Sequence, residues 1–163
     1  MGWSTHHSTG LIHYAPQHSY RGYTLLVSNS GNIAHLIDME GRICHEWRSD
    51  EGISYGYLLP NGNLLLRTGP AAEETSFLSR PERNLVPGGG RTTSGAILEL
   101  DWDSNVVWEY RYPFLHHDFE RLPNGNTLVL VWKSLPEELA TQVKGGYTDG
   151  SEPGQMLGAA VME

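Results

Sequence analysis

The feature that most constrains this chain is an internal repeat. The segment Leu-Pro-Asn-Gly-Asn at 59–63 recurs at 122–126, which is an offset of 63 residues. Other matched segments are 37–38 with 100–101, 46–47 with 109–110, and 96–99 with 160–163. Self-similarity at a nearly constant offset is typical of folds that repeat one structural unit. The sequence therefore predicts a repeat architecture.

Each repeat is predicted to contain four short β-strands. The runs 24–27, 64–66 and 127–131 are apolar or β-branched and are bounded by Gly and Asn, as strands are. The segments between runs have turn chemistry, because Gly and Asn tolerate positive φ and Asp bonds local backbone. No stretch keeps a 3.6-residue period, and only 136–140 is predicted to form a single helical turn.

Four strands in roughly 40 residues, once an insertion is left out, are the usual blade of a β-propeller. We predict an all-β fold and a β-propeller fragment of about two and a half four-stranded blades. A β-sandwich is the alternative, but it would not repeat at a fixed offset. The predicted regions are an N-terminal arm at 1–22 and a partial propeller at 23–163, with blade one at 23–48, blade two at 53–111 and an incomplete blade three at 116–163.

The strands of these blades have definite predicted bounds, namely 23–28, 33–39 and 42–48 in blade one, 53–59, 63–68, 95–101 and 105–111 in blade two, and 116–122, 126–132 and 159–163 in blade three. Propellers close into rings of roughly four to eight blades. We therefore expect the remainder of the ring to follow Glu163 and to be the structural partner of this fragment.

Composition excludes several classes of function. The net charge is −8 and no basic run occurs, so no nucleic-acid partner is expected. The one cysteine, Cys44, rules out an internal disulfide, and its match to Val107 predicts a buried packing role. No signal peptide and no apolar stretch near the roughly 20 residues of a membrane span occur, so we expect a cytoplasmic protein without membrane contact.

One face of the predicted ring carries the long connections. Insertions at about 69–94 and 133–158 both join the second strand of a blade to the third. Loops longer than about 15 residues are usually functional or disordered. The connection into the innermost strand of blade three shares this face and brings His116, His117 and Asp118 to the channel mouth. This face is therefore predicted to carry the active site.

His116, His117 and Asp118 are the predicted catalytic residues. The matched positions of blade two are Ile53, Ser54 and Tyr55, so the repeat itself does not require histidine here. An imidazole pair can serve as general acid or base, nucleophile, metal ligand or anion binder. Because side chains alternate along a strand, one histidine is expected to face the channel and the other the blade. Asp118 is expected either to orient a histidine or to be an ordinary residue of strand entry.

Three further residues are predicted to bind substrate. Arg121 replaces Leu58 of the matched strand and could hold an anion, while Tyr55 and Tyr57 could line the channel from the inner strand of blade two. No cofactor is predicted. A metal is possible, and His116 and His117 would then be its ligands. The corresponding partner is a small aromatic substrate.

The segment from His116 to Leu128 resembles the arylsulfotransferase-like propeller family, the arylsulfate sulfotransferases that do not use the nucleotide sulfate donor. Segments 22–25, 36–41 and 107–110 fit the same family, so the resemblance covers most of the chain from about Leu11. It implies a six-bladed ring and transfer of a sulfuryl group from an aryl sulfate ester to a phenol. It also implies a transiently sulfated channel histidine in a later blade, which His116 or His117 assists.

Two other classes of function stay open. One is a metal-dependent propeller lyase, hydrolase or oxidoreductase that uses the channel histidines, and the other is a non-catalytic binding propeller. A propeller frame cannot choose among them, because function depends on the site and not on the fold.

Overall fold

The computed structural model describes residues 11–28, 31–69, 95–112, 114–144 and 156–163. Parts of the predicted arm (1–10) and of both predicted insertions (70–94 and 145–155) lie outside the described residues. Within the described ranges, strands dominate and the all-β class is confirmed. The strands are β1 (Thr24–Val27), β2 (Gly31–Ile37), β3 (Ile43–Ile53), β4 (Tyr55–Leu58), β5 (Leu64–Arg67), β6 (Ala96–Leu100), β7 (Val106–Arg111), β8 (Leu115–Arg121), β9 (Thr127–Ser134) and β10 (Leu157–Met162).

The strands form three antiparallel sheets in sequential order, namely β1-β2-β3, β4-β5-β6-β7 and β8-β9-β10. These are the same groups of strands as the predicted blades, and most bounds agree within two residues. No sheet closes on itself in the described part of the chain. The arrangement of the sheets as blades of one ring stays a prediction.

Strand β3 differs from the prediction, because it runs on to Ile53 instead of ending near residue 48. Gly31 of β2 still pairs with Ile53, after a register shift that follows the pair Ile33 and Arg48. Gly52 has a φ of 75°, which lets the strand bend at little cost. Ile53 therefore belongs to the first sheet and not to the strand that starts the second.

The two Leu-Pro-Asn-Gly-Asn turns have the same structure. In each turn a glycine has a positive φ, 89° at Gly62 and 90° at Gly125. The final asparagine then donates from its side chain to a glutamate of the third strand. Asn63 Nδ2 lies 2.7 Å from Glu99 Oε1, and Asn126 Nδ2 lies 2.8 Å from Glu163 Oε1. The sequence repeat is thus a repeat of hydrogen bonds as well.

The turns after β2 and β6 are each organised by an aspartate. Asp38 Oδ1 accepts a hydrogen bond from the Arg42 amide at 2.9 Å, and Asp101 Oδ1 accepts one from the Asn105 amide at 2.8 Å. The amide and guanidinium of Arg42 lower the pKa of Asp38, and the side chain and amide of Asn105 lower that of Asp101. Such local bonds hold the turn in one conformation.

The chain divides into two compact units, Met1–Leu66 with Glu99–Trp108 and Arg67–Leu98 with Glu109–Glu163. In the first, Trp47 is completely buried and donates its indole N–H to the Asp101 carbonyl at 3.0 Å. His45 stacks on Trp102, with ring centroids 3.7 Å apart.

Cys44 is exposed, so the predicted buried role is wrong. The matched Val107 is also half-exposed, because this face of each strand points away from the core.

The second unit has a core between β8 and β9. Leu115, Phe119, Val129 and Val131 are all nearly inaccessible to solvent. The predicted helical turn is confirmed as α1 (Glu137–Ala140), which follows β9. Among the described residues, no helix combines the length and apolar character needed to cross a membrane.

Candidate functional site

A β-bulge opens strand β8. Leu115 pairs with Val131 and Phe119 pairs with Val129, so four steps along β8 match two along β9. Between these pairs, His116, His117 and Asp118 stand opposite Leu130 alone, and His117 takes a φ of 52°. A positive φ is uncommon for residues other than glycine, and bulges next to active sites re-aim side chains. The predicted catalytic segment is therefore the irregular part of its strand.

The bulge brings the two histidine rings together. Nδ1 of His116 lies 3.0 Å from Nδ1 of His117, and the ring planes are inclined by 81°. His116 is buried with 4% exposure, whereas His117 is exposed. In a regular strand, the alternation of side chains would place the two rings on opposite faces of the sheet. The left-handed backbone of His117 interrupts that alternation and makes the pair one hydrogen-bonded unit.

His116 is held against Trp132 of β9. The rings stack with centroids 4.2 Å apart, and Trp132 N donates to the Phe114 carbonyl at 2.9 Å. The buried atoms His116 Nε2 and Trp132 Nε1 have no partner of hydrogen-bond geometry within the described residues. Native interiors rarely leave polar atoms in this state, and such atoms mark candidate ligand or water positions.

Burial lowers the pKa of His116, and the positive charges of His117 and Arg67 lower it further. The backbone carbonyl of Val131 acts in the opposite direction and raises it. The lowered pKa keeps His116 neutral at neutral pH, which a general base or hydrogen-bond acceptor requires.

Arg67 is the functional candidate that sequence reasoning missed. It ends strand β5 and is only 9% exposed, and burial lowers the pKa of its guanidinium. Its charge acts on His116, within the same compact unit. The only signal in the sequence was a cation that directly follows the apolar run Leu64–Leu66, immediately before the predicted insertion.

Hydrogen bonds between Thr68 and Ala96 hold the end of strand β5, which carries Arg67. Thr68 N donates to the Ala96 carbonyl at 2.9 Å, and Ala96 N donates to Thr68 Oγ1 at 2.8 Å. Gly95 has a φ of 129°, and a Cβ there would come within 2.9 Å of Thr68 Oγ1. In an antiparallel sheet, the end of β5, the start of β6 and the end of β7 share one edge. The connection to β8 leaves from that edge.

Two other predicted site residues make described hydrogen bonds to the backbone. Asp118 Oδ1 accepts a hydrogen bond from the Phe119 amide at 2.9 Å, so this oxygen holds the bulge. Arg121 stands at the opposite end of β8, where its Nη1 donates to the Gly125 carbonyl at 3.0 Å. Five residues separate Arg121 from His116 along the strand, which is about 16 Å of extended chain. Arg67, and not Arg121, is the cation whose charge lowers the pKa of His116.

Tyr55 and Tyr57 lie on β4, in the first compact unit. Tyr55 is 45% exposed and Tyr57 is half-buried. Their part in substrate binding stays a prediction.

This geometry does not favour the binding of a metal ion. No group of three or more His, Cys, Asp or Glu side chains that could hold a metal occurs among the residues described. In the histidine pair, the two Nδ1 atoms contact each other and are not both available to an ion.

No protein-family model, no curated protein and no solved structure matches the chain. Inferences about function therefore depend on the geometry of the site. A contacting imidazole pair with one neutral ring, beside a buried arginine, can move a proton and stabilise negative charge.

Proposed function

We propose that the chain is part of a β-propeller enzyme that transfers a sulfuryl group from an aryl sulfate ester to a phenol. The observation that carries the proposal is the contact of His116 and His117 through their Nδ1 atoms, 3.0 Å apart, close to the charge of Arg67. The resemblance of this segment to the arylsulfotransferase-like family supports the same assignment.

Of the two tautomers that the contact between the Nδ1 atoms allows, we assign the one in which His117 donates. His116 Nδ1 accepts from His117 Nδ1–H, so the proton of neutral His116 stands on Nε2. His117 then presents Nε2 on its exposed ring, where it can donate a proton in one displacement and accept one in the other. This is the arrangement of a general base that is oriented by a second hydrogen-bonding group. His117 is accordingly the proton-transfer residue, and His116 is a positioning residue.

Transfer takes place in two displacements at sulfur. In the first, a nucleophilic imidazole nitrogen of the complete protein forms a bond to sulfur, the aryl oxygen–sulfur bond breaks, and His117 in its protonated form donates a proton to the departing phenolate. In the second, the acceptor phenol oxygen attacks sulfur, the nitrogen–sulfur bond breaks, and His117 takes the phenol proton. The proton released in the second step restores the one used in the first.

The test is sulfuryl transfer from 4-nitrophenyl sulfate to a phenol in the complete protein. His117→Asn keeps a residue that tolerates positive φ, and His116→Phe keeps the stack on Trp132. Each should lower kcat roughly 100-fold or more while the melting temperature stays near that of the unchanged protein. His45→Phe is the matched control, since His45 also stacks on a tryptophan.

Unchanged turnover in both site variants would refute the role of the pair. Absence of any transfer by the unchanged complete protein would refute the activity itself, and would favour the binding module. Stoichiometric metal in an active protein of another reaction class would favour the metal-dependent alternative.

A further inference from the structure

We propose that an open sheet face of this chain binds a different open sheet face of a second copy. The two faces belong to the third sheet, β8-β9-β10, and to the first sheet, β1-β2-β3. The contact is heterologous, because it joins two different surfaces. It does not depend on the proposed function, since neither imidazole of the histidine pair takes part.

The open face of the third sheet has an apolar floor and an acidic border. Val161 of β10 pairs with Leu130 of β9, and directly paired residues point to the same side of a sheet. With Leu128 they line an open pocket, and the exposed carboxylates of Asp118 and Glu120 border it. None of the described residues that line this pocket is a cation. We call this surface the acidic face.

The open face of the first sheet is apolar at one edge and carries an arginine at the other. Leu26 of β1 pairs with His35 of β2, which pairs with Glu46 of β3. Ile33 pairs with Arg48, so these side chains all lie on one side of the sheet. We call this surface the arginine face.

The charges of the two faces are complementary. On the arginine face, Glu46 Oε1 lies 3.0 Å from His35 Nδ1 and Glu46 Oε2 lies 3.2 Å from Arg48 Nη2, so both oxygens of this carboxylate are engaged. A guanidinium has five N–H donors, and the Arg48 side chain is exposed. It can therefore also meet a carboxylate of the acidic face. Such charge pairs fix the orientation of an interface more than its strength.

The repeat indicates that the arginine face is a packing surface. Leu26 is the third residue of β1, and Leu66 and Val129 are the third residues of β5 and β9. Leu66 is completely buried and Val129 is nearly so, whereas Leu26 is 47% exposed. The same position is thus covered in the second and third sheets and open in the first.

The acidic face is open at a position on the other side of the repeat. Ala34, Ile97 and Val161 share this position, at offsets of 63 and 64 residues. Ala34 directly precedes His35, so it points away from the arginine face. Ala34 and Ile97 are buried, whereas Val161 is 65% exposed.

The first and third sheets therefore each leave open the face that the other covers, and at these positions the second sheet has both faces covered. A second copy that places its arginine face on the acidic face gives each sheet the neighbour that it lacks. The contact would also remove exposed apolar side chains from water, which favours association.

The experiment follows association of the 163-residue chain by sedimentation velocity. Leu26→Glu adds a carboxylate that would meet the acidic face, and Val161→Lys adds a cation that would meet Arg48. Each variant alone should need a roughly tenfold higher concentration than the unchanged chain to associate. Val106→Glu and Val107→Lys are the matched controls, because both valines are half-exposed on β7, outside the two faces.

A mixture of the two variants tests whether the faces pair with each other. Leu26→Glu keeps an intact acidic face, and Val161→Lys keeps an intact arginine face. At a concentration at which neither variant associates alone, an equimolar mixture should form a dimer with one copy of each. Association should stop there, because the two faces that stay free are both altered.

Arg48→Glu is a second variant of the arginine face, and its effect should match that of Leu26→Glu if the latter chain is not well folded by circular dichroism. An unchanged chain that stays monomeric up to about 1 mM would overturn the proposal. Normal association of both arginine-face variants would assign the contact to two third sheets and exclude the first sheet as the partner. A mixture without dimers would exclude the pairing of different faces.

Discussion

His117 shows how one backbone angle creates the candidate site. Two neighbouring residues of a regular strand point in opposite directions, so their side chains cannot meet. At His117 the φ of 52° rotates the chain, and the ring nitrogen atoms of His116 and His117 come within 3.0 Å. A left-handed conformation costs a residue with a Cβ about 1–2 kcal/mol, which the surrounding sheet must offset.

The backbone and the ring of His117 can be tested apart. His117→Gly removes the ring but relaxes the left-handed conformation, so the melting temperature should stay close to that of the unchanged protein. His117→Val removes the ring and adds β-branching, so the free energy of unfolding should fall by about 1–3 kcal/mol. Thermal melts measure the stability of both variants, and transfer assays measure their activity.

Both substitutions should lower sulfuryl transfer to the same extent, because the imidazole is absent from each. A glycine variant that melts far below the valine variant would contradict the left-handed geometry. Normal transfer by the glycine variant would contradict the role of the ring.

At the scale of strands and turns, the fold is built from a small set of recurring bonds. In each Leu-Pro-Asn-Gly-Asn turn, a glycine has a φ near 90°. The side chain of the last asparagine donates a hydrogen bond to a glutamate of the third strand. Each turn lies at one end of its own sheet. The opposite end is less uniform, because there Thr68 and Gly95 close β5 to β6 and the bulge opens β8. The candidate site is at the irregular end.

Two glycines with positive φ provide a matched test of this closure. At Gly125 a Cβ would meet nothing within 4 Å, so Gly125→Ala should cost only the backbone penalty, about 1–2 kcal/mol. At Gly95 a Cβ would also press within 2.9 Å of Thr68 Oγ1 and 3.0 Å of the Thr68 carbonyl oxygen. Gly95→Ala should therefore lose more free energy of unfolding, and chemical denaturation of the two variants measures the difference.

Equal losses of stability in both variants would show that the close approach of Gly95 to Thr68 is unimportant.

At the scale of the whole molecule, the sheets leave apolar surface uncovered. On the third sheet, Leu128 and Leu130 are half-buried and Val161 is 65% exposed, and together with Phe119 they line an open pocket. The acidic side chains Asp118 and Glu120 border this pocket. An apolar sheet face beside an edge strand tends to associate with other protein surfaces.

The 163-residue chain by itself should therefore self-associate as its concentration rises, which sedimentation velocity measures. Val161→Lys places a charge on the apolar face and should shift the midpoint of association to roughly tenfold higher concentration, about 1.4 kcal/mol. Val107→Lys is the matched control, because Val107 is 53% exposed and receives the same change of charge. Equal effects of both variants would assign the shift to net charge alone.

The sequence by itself determined the strands and their turns. The bounds of β5 to β9 follow from apolar runs punctuated by Pro-Asn-Gly-Asn and by aspartate turns, because strand and turn preferences act over a few neighbouring residues. The same local preferences predicted that His116, His117 and Asp118 lie at the start of a strand, as they do in β8. It also predicted the helical turn at 136–140, which the structure has at 137–140.

Only the tertiary structure decided which side chains meet. Arg67 lies 49 residues before His116 in the chain, and the effect of its charge on the pKa of His116 depends on an arrangement of strands that no local pattern encodes. The contact between the histidine rings depends on a register shift against β9, and the exposure of Cys44 depends on which face of β3 the core covers. Local chemistry fixes where a strand begins and ends, whereas pairing and packing with distant strands fix what its side chains face.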